Sequence, residues 1–371
     1  MWYPAAVLLF VLMQTPNYSA EGLKALDGAN YAVAVEQFSK AVAADPKDYT
    51  AHFNLALANS LLGKDTEAIA GYRTVLELKP GLYQAELNLG IVLIRAKQAR
   101  EAIPLLEAAV QEKPQELQPN LQLAEALLAA GELAKAEQYY RAAAGLDPSL
   151  KDALLKVAVA YQLGGQVPQA LEIYAQFPEN VAAREHMGEL LIEAGKLAEA
   201  APHLEFAVGK SPTAANRLAL ASVYLGTNQA EKAVGQLQAA VEDEPLNFEL
   251  RMRYGRIVRD RQKYQAAGAE FARATEIKPD SLEAWNELAS VLVLTEDFPR
   301  ALAALDRIRQ LGGETPSHFY LRAIMLDKMR QLKPALENYQ KFLSLSNGKY
   351  ADEEFKARQR ARILQAELSK R

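Results

Sequence analysis

Apolar and polar positions between residues 49 and 82 fall into two short helical rows separated by a break. His52, Leu55, Ala56 and Asn59 recur at the three- and four-residue spacing of one helix face, and Gly63 ends that run. Ala68, Tyr72, Val75 and Leu76 form a second row, which stops at Pro80. The pattern predicts a helix, a tight turn and a second helix. The same 34-residue pattern then recurs almost to the end of the chain, so one helix pair is the unit from which the molecule is built.

Counting Tyr49 as position 1, position 20 falls on Ala34, Ala68, Ala102, Ala136, Ala170, Ala200, Ala233, Ala267, Ala301 and Ala335. Position 8 is always glycine or alanine: Gly22, Ala56, Gly90, Ala124, Ala158, Gly188, Ala221, Gly255, Ala289 and Ala323. Small residues at fixed positions mark places where two helices cross closely, because a larger side chain would push their axes apart. Position 24 is large each time: Phe38, Tyr72, Leu106, Tyr140, Tyr174, Leu204, Leu237, Phe271, Leu305 and Tyr339. A closing proline recurs as Pro46, Pro80, Pro114, Pro148, Pro212, Pro245 and Pro279. In period and in these residues the chain resembles the tetratricopeptide repeat family over roughly residues 15–349. That resemblance implies an all-α fold, a right-handed superhelical solenoid of about ten helix pairs. It is specific for fold and says little about the ligand.

Read in order, residues 1–20 stand outside the pattern and form a signal-like or N-terminal apolar segment. The run 5–13 (AAVLLFVLM) resembles the apolar core of a secretory signal, with Ala20 as a small residue before the first helix. No basic residue precedes the run, and Tyr18 is poorly suited to the position three before the cut. A buried apolar helix and a retained anchor are the other readings. Repeats 1–5 occupy residues 21–180 and repeats 6–10 residues 181–349. Ala170 and Ala200 are 30 residues apart, four short of the period, so repeat 5 is expected to lose a turn of its second helix. That junction is expected to be the weakest, leaving two arms joined near residues 177–180. Pro104 and Pro202 are read as lying close to the first turn of a second helix, where a missing N–H costs little. Residues 350–371 read as a capping helix. Its acids come first, its bases later, and Ala357, Ala361, Leu364 and Leu368 form a narrow apolar stripe.

Composition narrows the function more than the fold. The net charge of −4 supplies no global basic field for nucleic acid. The chain has no cysteine, which removes disulfides, thiolate metal sites and cysteine nucleophiles. His52, His186, His203 and His318 lie in different repeats and show no metal-binding spacing. His52 takes the position that Trp285 holds in repeat 9, which favours a packing role. The plentiful carboxylates, such as Glu107, Glu199 and Glu337, read as solvated helix faces. Neither an enzyme, nor a cofactor, nor a small-molecule substrate is expected.

Two constellations bear on binding. Some members of the resembled family clamp an acidic chaperone tail with lysine, arginine and two asparagines. Asn54 and Asn88 match the asparagine position, but Ser19, Leu23, Phe53 and Gln84 stand where basic partners are needed, so that clamp is excluded. Arg253, Arg256 and Arg259 are spaced three apart on the first helix of repeat 8. They either pair with Glu283 and Glu287 one repeat on, or anchor an acidic peptide or carboxylate.

By family resemblance, positions 5 and 9 of each first helix point into the concave groove. In repeats 2–5 these are Phe53, Leu57, Leu87, Ile91, Leu121, Glu125, Leu155 and Val159; in repeats 6–9 they are Glu185, Glu189, Leu218, Ser222, Met252, Arg256, Asn286 and Ser290. The first set is an apolar strip interrupted only by Glu125, and exposed strips of that kind mark partner sites.

The expected function is a non-catalytic scaffold that holds a partner protein or peptide. The alternatives are a substrate-delivering subunit of a separate enzyme or of a secretion or envelope assembly machine, and a cytosolic adaptor. A signal at 5–13 would place the protein in the periplasm or outside the cell, with the cytoplasm as the alternative. Membrane contact would come only through an uncleaved N-terminal segment. N-terminal sequencing of native material is expected to begin near Glu21. An intact Met1 on soluble cytoplasmic protein would overturn export.

Overall fold

The computed structural model describes residues 17–369. The apolar run 5–13 lies outside the described residues. Those that are described are helical, with no strand among them, and the chain divides after Phe177 into two compact units.

Unit 1 contains α1 (Tyr18–Asp27), α2 (Tyr31–Ala44), α3 (Tyr49–Leu61), α4 (Asp65–Leu78), α5 (Tyr83–Arg95) and α6 (Ala99–Glu112). It continues with α7 (Leu117–Ala130), α8 (Leu133–Leu146), α9 (Leu154–Leu163) and α10 (Val167–Tyr174). Unit 2 contains α11 (Val181–Glu193), α12 (Leu197–Lys210), α13 (Ala214–Gly226), α14 (Ala230–Asp243), α15 (Phe248–Asp260) and α16 (Tyr264–Ile277). It ends with α17 (Leu282–Leu294), α18 (Phe298–Gln310), α19 (Pro316–Lys328), α20 (Leu332–Leu345) and α21 (Ala351–Ser369). Within each unit every helix packs on the one before and the one after it. First helices of successive repeats also touch, α1 with α3, α3 with α5, α5 with α7 and α11 with α13. The pairs therefore stack into a solenoid with the first helices side by side.

The small residues explain how tightly each pair closes. All ten position-20 alanines have zero exposure. A methyl group placed on Gly22, Gly90, Gly188 or Gly255 would come within 2.6 Å of Phe38, Leu106, Leu204 or Phe271. Positions 8 and 24 of one repeat are thus in direct contact across its two helices. Both phenylalanines at position 24 face glycine, whereas Tyr72, Tyr140, Tyr174 and Tyr339 stand opposite Ala56, Ala124, Ala158 and Ala323. Leucine occurs opposite either.

Each pair turns in the same way. Ala29, Gly63, Lys97, Gly131, Gly165, Gly195, Asn228, Gln262, Glu296 and Arg330 all have positive φ. The next residue then donates its N–H to a carbonyl five residues back, as in Lys64 to Asn59 at 2.9 Å and Gln98 to Leu93 at 2.8 Å. A non-glycine residue held there costs about 1 kcal/mol, so Lys97, Gln262, Glu296 and Arg330 accept strain that the turn imposes.

Between repeats, a donor at position 4 reaches back to the carbonyl six residues earlier. His52 Nε2 meets Pro46 O at 3.1 Å, Asn120 Nδ2 meets Pro114 O at 3.0 Å, Arg251 Nε meets Pro245 O at 2.8 Å and Trp285 Nε1 meets Pro279 O at 3.0 Å. His52 and Trp285 share a position because both ring N–H groups close this turn.

Three local expectations change in detail. The second helix of repeat 5, α10, is eight residues long where α8 has 14, and the buried Phe177 lies just beyond its end. A 3-10 turn, Pro148–Ala153, replaces the opening of that repeat's first helix. Pro104 and Pro202 are each the sixth residue of their helices, beyond the first turn, so each removes an N–H that would have bonded within the helix. Both helices open with a tightened turn, Glu101 N to Gln98 O and Glu199 N to Lys196 O at 3.0 Å. At the start of unit 1, α1 begins at Tyr18, and Asn17 Oδ1 caps it by accepting from Ala20 N at 3.0 Å. Cleavage after Ala20 would remove that cap and the first three residues of α1. At the other end, the α21 stripe joins the core: Ala357, Ala361 and Leu364 pack with Tyr339 and Phe342, and Arg360 binds Asp327 at 2.5 Å.

Gly255→Ala is expected to destabilise unit 2 by about 1 kcal/mol, because overpacking against Phe271 outweighs the gain in helix propensity. Adding Phe271→Leu is expected to recover much of that loss, since Ala221–Leu237 and Ala289–Leu305 already show the combination. A double-mutant cycle by urea unfolding measures it, and additive effects would refute the contact.

Candidate functional site

The row of first helices in unit 1 carries the apolar strip. Positions 5 and 9 lie four apart and so share one face of α3, α5, α7 and α9. Phe53, Leu57, Leu87, Ile91, Leu121, Leu155 and Val159 are all half-buried there. Phe53 packs edge-to-face with the fully buried Tyr72, with centroids 5.6 Å apart. The single carboxylate in the row, Glu125, accepts from Lys156 Nζ at 2.6 Å. Each of these side chains is partly packed and partly exposed, so the row offers apolar surface while still belonging to the fold.

In unit 2 the same positions do other work. Met252 is 1% exposed and packs in a core cluster with Phe248 and Phe271, so position 5 of repeat 8 is core and not groove. Glu185 accepts from Asn216 Nδ2 at 2.5 Å, joining α11 to α13. Asn286 Oδ1 accepts from His318 Nε2 at 2.9 Å, joining α17 to α19. Polar position-5 residues here bond one repeat to the next.

The three arginines of α15 divide in the same way. Arg256 Nε donates to Glu287 at 3.0 Å and its Nη2 reaches Glu283. Arg259 also binds Glu287 and takes Asp260 at 2.9 Å. The Glu287 side chain is only 17% exposed, and the two arginines lie against it on either oxygen. The hydrogen bond that Arg256 donates to Glu287 also holds its guanidinium above the ordinary pKa. Arg253, in contrast, is exposed and makes no ion pair or hydrogen bond among the described residues. The structure therefore brings Arg256 and Arg259 together on one carboxylate and leaves Arg253 apart.

His318 marks a further polar junction. Its Nδ1 accepts the Thr315 N–H at 3.0 Å, which leaves the proton on Nε2 for Asn286. Burial, with the Arg322 charge nearby, holds its pKa below that of a free histidine, against the opposing pull of Glu314. Arg322 is itself buried and binds Asp306 at 2.7 Å. Among the described residues no group of three His, Cys, Asp or Glu side chains is placed to hold a metal ion, and no helix is long and apolar enough to cross a membrane.

A histidine with a depressed pKa is kept neutral by the fold, while the unfolded chain takes up a proton below about pH 6.5. The stability that neutral His318 contributes is therefore full above that pH and is lost as pH falls toward the lowered value. Thermal melting at pH 7.5 and pH 5 is expected to show a smaller acid-induced drop for His318→Asn, whose amide oxygen can still accept from Thr315. An equal drop in both proteins would refute the assignment.

Family models described as tetratricopeptide repeat match residues 19–83 and 218–281, 93–143, and 152–181. No curated protein matches the chain. Among solved structures, the MamA fragment from Desulfovibrio magneticus RS-1 is 20% identical, over 52% of this chain and 92% of that one, with a TM-score of 0.35. YrrB, titled a tetratricopeptide protein with an unusual peptide-binding site, is 22% identical over 48% and 90%, with a TM-score of 0.41. The Naa15/Naa10 complex bound to HypK-THB is 16% identical over 94% and 67%, with a TM-score of 0.48.

Proposed function

The chain belongs to the tetratricopeptide repeat family, and from that membership we propose a non-catalytic scaffold that holds a partner protein or extended peptide along its first helices. The observation that carries this reading is the row of seven half-buried apolar side chains on α3, α5, α7 and α9. A repeat needs positions 8, 20 and 24 to close its helix pair, and those positions are fully packed. Positions 5 and 9 of unit 1 keep part of their apolar surface in water, and a contiguous row of that kind is typical of interaction sites. An amphipathic helix or an extended apolar peptide fits such a row, because side chains four apart on one helix and repeated on the next make a ladder of shallow contacts. Export through residues 5–13, and work in the periplasm or outside the cell, are part of the same proposal.

Replacing Phe53, Leu87 and Leu121 together with serine tests the ladder. Each change removes half-buried apolar area worth roughly 1 kcal/mol, so the stack is expected to keep its helicity and cooperative melting. Affinity capture from the source cells, with crosslinking and mass spectrometry, is expected to lose the stoichiometric partner seen with the unaltered chain. Retention of that partner would overturn the proposal. Outright unfolding of the variant would show these residues to be core.

A further inference from the structure

In unit 2, α13 and α15 leave between them a cleft of about 240 Å³. Ala221 is buried at its base, Leu218 and Ile257 are half-buried, and Leu225 and Arg253 are open to solvent. A second hollow of about 290 Å³ shares Leu218 and Arg253 with it and is bounded on the far side by Glu244 and Glu249. Arg253 thus stands where the two hollows meet. Its neighbours on α15 are engaged: Arg251 binds Glu270 at 2.6 Å, and Arg256 and Arg259 share Glu287. Arg253 alone of these four has no anion within the described residues.

We propose that this cleft takes a peptide segment in which one carboxylate lies within two residues of a large apolar side chain. The apolar group enters the hollow beside Leu218, Leu225 and Ile257, and the carboxylate accepts two hydrogen bonds from Arg253. A guanidinium presents donors in a planar fork that matches a carboxylate, and a charge-assisted pair is stronger beside apolar walls than in open water. Glu244 and Glu249 repel a second acid on their side of Arg253, so the segment continues that way with neutral or basic residues. These carboxylates and the net charge of −4 disfavour a polyanion. Two adjoining hollows along the helices suit a chain better than a compact molecule. The site lies in unit 2 and does not depend on the apolar ladder of unit 1.

The test begins with a random dodecapeptide display library panned on the full chain. Binding of a labelled enriched peptide is then followed by fluorescence anisotropy. Enriched sequences are expected to pair Asp or Glu with Leu, Ile, Met or Phe. Arg253→Gln is expected to weaken binding about tenfold or more, the effect of losing a charged hydrogen bond. Ser222→Trp, which fills the hollow from its exposed rim, is expected to do the same. Arg253 is exposed and unpaired, so its variant is expected to melt like the parent protein, and it decides the matter even if Ser222→Trp folds poorly. The Phe53, Leu87 and Leu121 triple variant is expected to bind the peptide unchanged. No enrichment, enrichment without the acid–apolar pairing, or affinity unaffected by Arg253→Gln would overturn the site. So would loss confined to the triple variant, which would place the peptide on unit 1. Displacement of the peptide by decanoate at equal affinity would identify a fatty acid site and equally overturn the proposal.

Discussion

Everything in this molecule depends on how closely two helices of one repeat can approach. The contact is made by a glycine or alanine at position 8, a large residue at position 24 and an alanine at position 20 with no exposure at all. It is tight, since one added methyl at Gly90 or Gly255 would lie 2.6 Å from the facing side chain unless that side chain moved. Packing at crystal-like density is what makes the pair a rigid unit instead of two loosely associated helices. The recurrence of that unit, and not any single large core, stabilises a chain of this length.

Rigid pairs would be of little use if the turns joining them varied. Two local devices standardise those turns. The left-handed residue at the end of each first helix sets the reversal, and the carbonyl it exposes is taken by an N–H five residues on. The position-4 donor then fixes the next repeat by capturing the preceding proline carbonyl. Imidazole, indole, guanidinium and carboxamide all serve, because the requirement is for a donor of sufficient reach and not for one side chain. With the turns standardised in this way, equivalent positions of successive first helices fall on equivalent faces.

The two units use those faces differently, for a reason of charge and desolvation. In unit 1 the positions left over after packing are aliphatic or aromatic and half-buried, so they retain apolar surface for a partner. In unit 2 many of the same positions carry polar groups, and three of them, Glu185, Arg256 and Asn286, bond across repeat junctions. Glu185 with Asn216, Glu287 with two arginines, and Asn286 with His318 are examples. A partly buried charge is costly unless paired, so these junction residues are committed to holding the stack. Arg253 stands out because it is charged, exposed and uncommitted beside an apolar hollow.

Much of this was legible in the sequence, because the strongest signals are steric and local. Ten alanines at one position and ten small residues at another can arise only from repeated close crossings, so the helix pairs, their number and the terminal cap follow from the residues alone. The 30-residue spacing between Ala170 and Ala200 likewise announced the short second helix of repeat 5. Tertiary structure decided what depends on neighbours in space. Met252 and Phe53 occupy the same repeat position and are both apolar, yet one is core and the other half-open, which only the surrounding packing determines. Three evenly spaced arginines look equivalent along the chain. Glu287, from the next repeat, engages two of them and not the third. Lys97 and Glu296 adopt left-handed backbone that nothing in their chemistry favours, because the cooperative closure of each helix pair outweighs a local cost of about 1 kcal/mol. The repeat dictates the scaffold through short-range sterics; which surface atoms remain free is settled by long-range pairing, and no one-dimensional pattern encodes that directly.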